Sequence, residues 1–330
     1  MVPEELLYGH HASRGDRSES DVDRGYGWRC STLKEHGVAQ ETGGMDLSCL
    51  VFLNGEIIPL EEARISPQDR GFNFADGLYE VIRVYNGQPF CMKEHMDRLK
   101  YGGEQLDIEI PYTMEEFAEI VERLLKANDL REASVYLQVT RGAVPRSHPF
   151  PEDYEPTVFM RVGEASAPSH EQLEQGMTAI THSDIRGGLC YIKSLALLAN
   201  CLAQTRAKRE GAYEAILVRN GFVTEATARS AFCVIDGTLY THPLANILPS
   251  ITRMNVLRLA AENDWPVVQQ AIPVGDFMDA DEVFLGGTIA EVVPIVEIDG
   301  KMIGDGRPGP VFWRVHKAFQ DLIKKDSVPS

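Results

Sequence analysis

Lys193 is the single cation in Leu189-Cys-Tyr-Ile-Lys-Ser-Leu-Ala-Leu-Leu198, a run whose other side chains belong in a core. An isolated buried charge is expensive, so such a site must lower the lysine's pKa or give it a partner. A desolvated, neutral amine is what Schiff-base chemistry with a carbonyl requires. A lysine snorkelling from the end of a strand fits the same pattern. Glu225 is the second misplaced charge, closing Phe222-Val-Thr-Glu225 ahead of Ala-Thr-Ala. A carboxylate there suits a buried, protonated ring nitrogen; an edge-strand glutamate in water is the alternative.

Three segments suit a phosphate. Arg98, in His95-Met-Asp-Arg-Leu99, could grip two phosphate oxygens with its guanidinium fork. Ser250-Ile-Thr252 opens a helix, where unpaired N–H groups and the dipole favour an anion. Gly286-Gly-Thr288 lets backbone approach closely and adds a hydroxyl. None of the three matches a P-loop or a dinucleotide fingerprint, and singly each is also ordinary punctuation. Arg141-Gly-Ala-Val-Pro-Arg146-Ser-His148 follows a strand with two arginines and an imidazole, a good receptor for a carboxylate or simply a solvated basic loop.

The elements that must position these residues fall into two groups. Asn54-Gly55 joins two short strands, 49–53 and 57–60, as a hairpin. Leu78–Tyr85 alternates as a strand, ends at Asn86-Gly87, and is followed by a helix over His95–Leu106. Thr113-Met-Glu-Glu116 is a capping box, after which Phe117, Ile120, Val121, Leu124 and Leu125 recur at helical spacing. Ser134–Thr140 and Thr157–Val162 add strands, and Gly163–His170 reads as a linker. Beyond it come a strand at Met177–His182, a helix over Leu195–Lys208, and a hairpin around Asn220-Gly221. Strands at Phe232–Ile235, Thr238–Tyr240 and Val283–Leu285 and helices over Ile251–Glu262 and Val311–Ile323 complete the chain. The expected fold is α+β: a small domain over 46–165 and a larger, strand-rich domain over 166–330. Residues 1–45, rich in Gly, Ser, His, Asp and Arg, show no periodicity and read as a disordered tail or a misplaced start.

With 330 residues, 44% hydrophobic, the chain can bury a sizeable core. A formal charge of -17 argues against nucleic acid, which needs a basic face. No apolar run reaches a membrane span, and the opening residues lack the layout of a secretory signal, so a cytoplasmic location is expected. The six cysteines form no CxxC pair and no metal-ligand spacing, so buried free thiols and no metal are expected.

Taken in order, these segments resemble the fold-type IV (class IV) pyridoxal-phosphate enzymes, most closely the D-amino acid aminotransferases. The resemblance runs from about Val51 to the C-terminal helix. It is carried by Asp69-Arg-Gly71, Phe74-Ala-Asp-Gly-Leu-Tyr-Glu80, Glu94-His-Met-Asp-Arg-Leu99, Arg141 to His148, Ile192-Lys-Ser-Leu195, Val223-Thr-Glu225, Ile251-Thr-Arg253 and Glu297-Ile-Asp-Gly-Lys301. It implies pyridoxal 5'-phosphate bound covalently to Lys193, with Glu225 at the pyridine nitrogen and Leu248 beside the ring. Arg98, Ile251, Thr252 and Thr288 would hold the phosphate. Tyr79, Arg146 and His148 would trap the substrate's carboxylate in transamination between a D-amino acid such as D-alanine and a 2-oxo acid such as 2-oxoglutarate. It also implies a homodimer in which Arg146 and His148 reach into the partner's site. Branched-chain aminotransferases, (R)-amine transaminases and aminodeoxychorismate lyases share the fold, as would a protein that binds the cofactor without turnover. Arg146-Ser-His148 argues against the branched-chain and lyase alternatives. Two departures from the family pattern are Ala226 and Ser230, where Gly and Asn are usual, and Gly187-Gly188, where bulkier residues are common.

Overall fold

The computed structural model describes residues 49–327; the expectation of a tail over 1–45 lies outside them. The first group of elements is β1 (Leu50–Leu53), β2 (Glu56–Pro59), α1 (Arg70–Phe74), β3 (Gly77–Tyr85), β4 (Gln88–Pro89), α2 (Met92–Leu106), α3 (Met114–Ala127), β5 (Ala133–Thr140) and β6 (Thr157–Glu164). Its strands form one antiparallel sheet in the order β2-β1-β6-β5-β3-β4. The Asn54-Gly55 hairpin forms with both residues at positive φ, 47° and 103°, the turn that these two residue types favour. Thr113 and Glu116 make the reciprocal capping-box bonds, and α3 buries the stripe Phe117, Ile120, Val121, Leu124 and Leu125. Helix α2 presses on β3: a side chain at Gly102 would stand 2.9 Å from a methyl of Leu78.

The chain passes through 165–169 to the second group: α4 (His170–Gln175), β7 (Met177–Ser183), α5 (Leu198–Arg209), β8 (Glu214–Arg219), β9 (Phe222–Ala226), β10 (Ser230–Ile235), β11 (Thr238–Thr241), α6 (Ile251–Glu262), β12 (Val267–Gln269), β13 (Ile272–Pro273), α7 (Val274–Met278), β14 (Glu282–Gly287), β15 (Glu291–Ile298), β16 (Lys301–Met302) and α8 (Pro310–Asp326). Ten strands form a mixed sheet ordered β12-β11-β10-β14-β15-β7-β8-β9-β13, with β16 on β15. Strand β7 runs parallel to both β15 and β8. The main core lies here, with Phe232, Phe284, Phe312 and Phe319 among its buried side chains. Helices and two sheets make the fold α+β, as expected from the sequence.

Three departures from the sequence reading have physical causes. Strand β15 is missing from that reading because its continuous apolar run carries Pro294, and proline lacks the N–H that a central strand uses. Pro294 faces Phe284 of β14, while pairing with β7 starts one residue later at Ile295. The helix expected from Leu195 starts at Leu198, because Ser194 bridges Leu78 and Leu195 N donates to Gly77 O. The expected linker is shorter than Gly163–His170: β6 runs to Glu164, and a second capping box, Ser169 with Gln172, starts α4. The five described cysteines are free, but Cys201 is exposed and Cys190 half-buried. Among the described residues, no helix is long and apolar enough to cross a membrane.

Candidate active site

Lys193 lies in an extended strap laid along the start of β3. Tyr79 N donates to Lys193 O at 3.1 Å and Leu195 N to Gly77 O at 3.0 Å. Only glycine permits this approach, since a Cβ on Gly77 would stand 2.7 Å from Val139 O and 2.8 Å from a Leu195 methyl. The strap carries Lys193 Nζ to 4.0 Å from the centroid of the Tyr79 ring, a cation–π distance. The surrounding segment is less buried than its composition predicts: Ile192 is core, but Leu189 is 56% and Leu198 74% exposed.

One residue beyond Tyr79, Glu80 points to the other face of β3, where it is wholly buried. Its carboxylate accepts from Arg98 Nε at 2.7 Å and Nη2 at 2.8 Å, and its Oε2 lies 2.8 Å from His95 Nδ1. Burial alone would raise this carboxyl, but Arg98 and His95 hold it well below the usual carboxylate range. Burial, with smaller contributions from Arg98 and Lys193, pushes the His95 imidazole below its ordinary value against the pull of Glu80. A carboxyl depressed in the folded state contributes stability that is present above its unfolded pKa and is lost as pH falls toward the folded one. Wild-type stability is therefore expected to drop as the pH falls below about 4.5, the ordinary glutamate value. Glu80→Gln should be destabilised at neutral pH by about 3–5 kcal/mol, because it strands a buried guanidinium, and should lose that part of the acid slope. Chemical denaturation across this pH range checks it; parallel slopes for the two proteins would remove Glu80 as the cause.

The third N–H of Arg98 in use, on Nη1, reaches Pro249 O at 2.9 Å, which ties α2 to the residues ahead of α6. The sequence expectation is that Arg98 grips phosphate with its fork; with three of its five N–H groups engaged, at most two remain for that purpose. Ser250 caps α6, accepting from Arg253 N at 3.2 Å, and Ile251 and Thr252 are buried in its first turn. The end of β14 comes alongside, since a Cβ on Gly286 would lie 3.1 Å from Thr252 Cγ2. Thr288 follows two residues later, half-buried. The first turn of α6 and the glycine backbone at the end of β14 thus lie side by side, the kind of surface that suits an anion.

Leu248 closes the arrangement, its N–H donating to both oxygens of Glu225 at 3.2 and 3.3 Å. Two adjacent residues ahead of α6 are thus pinned, Leu248 by Glu225 and Pro249 by Arg98. Glu225 is buried on β9 and also ion-paired with Arg186 Nη1. Burial pushes its carboxyl up to about 7, outweighing the pull of Arg186 and of the Leu248 amide. Sequence reading missed Arg186 and its anchor Asp184; their only trace is an acid and a base two residues apart just past a strand.

Arg146 and His148 belong to a different cluster. Both are exposed; the Arg146 guanidinium lies 4.8 Å from the Phe74 centroid, and Phe74 meets the His148 ring at 5.7 Å. Buried Arg70 holds this loop through Ser147 O at 2.5 Å. Arg141, grouped with them as part of a receptor, is instead turned inward, paired with Asp76 at 2.9 Å and bonded to Leu106 O and Asp107 O. At the departures near Glu225, Thr227 Oγ1 engages Gln204 at 3.0 Å and Glu214, which itself pairs with Arg229. Ser230 Oγ is buried with no partner among the described residues.

The sequence model of the family described as amino-transferase class IV matches residues 77–298, more than half of the chain. The chain belongs to the class IV aminotransferases. D-alanine aminotransferase of Staphylococcus epidermidis (strain ATCC 35984) is 41% identical to this aminotransferase over 279 residues, covering 84% of the chain and 99% of the relative. The enzyme of that name from Listeria monocytogenes serotype 1/2a is 40% identical over 278 residues, covering 83% and 96%. Among solved structures, branched-chain amino acid aminotransferase of Escherichia coli superposes with a TM-score of 0.78 at 28% identity, covering 86% of this chain and 97% of that one. The branched-chain enzyme of Thermoproteus uzoniensis with norvaline gives 0.77, at 26% identity over 84% and 96%. This aminotransferase therefore has the fold of the fold-type IV enzymes.

Proposed function

We propose that this aminotransferase holds pyridoxal 5'-phosphate on Lys193 and moves the amino group of a D-amino acid, D-alanine first among them, to a 2-oxo acid such as 2-oxoglutarate. The observation that carries the cofactor assignment is one continuous series of contacts: Lys193 lies over Tyr79, the neighbouring Glu80 holds Arg98, Arg98 bonds Pro249 O, and Leu248 N bonds Glu225. A half-buried amine, an anion cradle at a helix start and a buried carboxylate are the three groups an aldehyde, a phosphate and a basic ring nitrogen require. When bound, the cofactor supplies an electron sink for the pair left at Cα. Lys193 Nζ then acts as the base that takes the proton from the substrate's Cα and holds it for return. Glu225 meets the ring nitrogen and Leu248 the ring edge, while Ile251, Thr252, Thr288 and Arg98 answer the phosphate charge.

Tyr79, Arg146 and His148 receive the substrate carboxylate. Tyr79 stands beside Lys193 of its own chain, and Arg146 and His148 serve the site of a second copy. Supporting a homodimer are exposed apolar side chains that the described residues leave uncovered, Leu198 at 74% near the lysine strap and Phe72 at 79% near the arginine loop. The two sheets correspond in this reading to the domains over 46–165 and 166–330, and the enzyme works in the cytoplasm.

The likeness to D-alanine aminotransferases supports the D-substrate, while the structural likeness to branched-chain enzymes supports a second reading with L-leucine. Purified protein offered D-alanine, L-leucine and a simple (R)-amine separately with 2-oxoglutarate is expected to form pyruvate and glutamate from the first. Fast turnover of L-leucine with D-alanine inert would overturn the D-amino acid assignment and establish the second reading.

A further inference from the structure

Glu225 is the buried end of a partly buried series of alternating charges. Arg186 gives Nη1 to Glu225 and turns its other edge to Asp184, Nε to Oδ1 at 2.9 Å and Nη2 to Oδ2 at 2.9 Å. The Asp184 side chain is wholly buried, and it also receives Arg219 Nη2 at 3.1 Å and Thr224 Oγ1 at 3.0 Å. Arg219 closes the group by donating to Arg186 O at 2.9 Å and Asn246 Oδ1 at 3.1 Å, and Arg186 Nη2 reaches Asn246 O at 3.3 Å. Two carboxylates and two guanidiniums balance within the group, and buried Arg253 of α6 adds its charge to the field at Glu225 without bonding it. The guanidinium against Glu225 is thereby locked in its plane by an edge-on carboxylate, a geometry lysine cannot reproduce.

A carboxylate buried without a cation takes up a proton. A protonated ring nitrogen, by contrast, needs an ionised partner aimed at it. We propose that Arg186 is a positioning residue for amino-group transfer: clamped by Asp184, it fixes the aim and the negative charge of Glu225 where that carboxylate meets the cofactor's ring nitrogen. The proposal rests on the assignment of Glu225 made above. It extends that assignment to three residues, Arg186, Asp184 and Arg219, whose side chains act on the cofactor only through Glu225. It also gives the turn at 246–248 a reason for its place, since Arg186 bonds Asn246 O and Leu248 N bonds Glu225.

The test loads pyridoxal 5'-phosphate labelled with 15N in the ring into wild type, Arg186→Met, Arg186→Gln, Arg186→Lys and Glu225→Gln, and reads the ring-nitrogen chemical shift against pH. Wild type is expected to give the shift of a protonated ring at neutral pH. Arg186→Met and Arg186→Gln should give the shift of a neutral pyridine, with turnover down roughly 10- to 100-fold, as for outer partners that orient a reacting ligand. KM should change less than kcat. Arg186→Lys should return the protonated shift and part of the rate, because it keeps the charge without the fork. A wild-type shift in Arg186→Met or Arg186→Gln would overturn the proposal. So would a chain that folds only with Lys or Arg at 186, which would assign the residue to stability alone. Glu225→Gln separates the two layers: if it leaves the ring shift unchanged, the assignment of Glu225 fails; if it moves the shift while the Arg186 variants do not, the role of Arg186 fails.

Discussion

Lys193→Ala is expected to bind the cofactor without a covalent bond, to lose its colour on dialysis, and to turn over roughly 10⁴- to 10⁶-fold more slowly, the scale seen when a reacting group is deleted. The fold should survive. What fixes the strap is backbone, Tyr79 N to Lys193 O and Leu195 N to Gly77 O, and alanine retains both bonds. The side chain contributes the contact of Nζ with the Tyr79 ring at 4.0 Å, at most on the order of 1 kcal/mol. A large kinetic loss beside a small stability loss is therefore the signature of a reacting amine, and the reverse would mark a structural lysine. Borohydride reduction followed by peptide mapping supplies the direct check on the wild type. The phosphopyridoxyl mass belongs on the peptide containing Lys193; the mass on any other lysine would sink the assignment.

Lys193 is legible in the sequence as a candidate because it breaks an apolar run, and Glu225 because it is the one charge in a strand that is otherwise apolar or neutral. The Asn-Gly hairpins and the α3 capping box are legible because turn and cap chemistry is local. The partners of the chemical residues are not. Glu80 lies 18 residues from Arg98 in sequence, and its pairing arises only because α2 packs back across β3. Asp184 and Arg186, just past β7, meet Glu225 of β9 only because β8 pairs with both strands. Arg141 and Arg146 share one loop; the carboxylate of Asp76, brought near when β3 pairs with β5, claims the first and leaves the second exposed. Spacing can nominate a charged residue, but which opposite charge it meets is a property of sheet order.

The proposal that the site is shared between two chains has the sharpest expected result. Arg146→Ala should weaken substrate binding more than cofactor binding, since Arg146 lies with Phe74 and His148, away from the segment that Arg98 and Glu225 pin. Its loop hangs from Arg70 through backbone carbonyls, so truncating the side chain leaves the loop in place. In a two-fold dimer each site pairs the lysine of one subunit with the arginine of the other. A Lys193→Ala homodimer has no reacting amine in either site, and an Arg146→Ala homodimer has no carboxylate clamp in either. In a mixed dimer the two defects fall in the same site: the lysine-deficient chain's site faces the arginine-deficient chain, and the remaining site combines an intact lysine with an intact arginine. Co-refolding the two nearly dead variants is thus expected to restore D-alanine transamination to about half of the wild-type rate per heterodimer, by the geometry of the two-fold axis. If Arg146 served its own subunit, every site in the mixture would keep one defect and the rate would stay at the level of the parents. Heterodimers verified by differential tagging that recover no activity would therefore rule out the partner's Arg146 as the clamp.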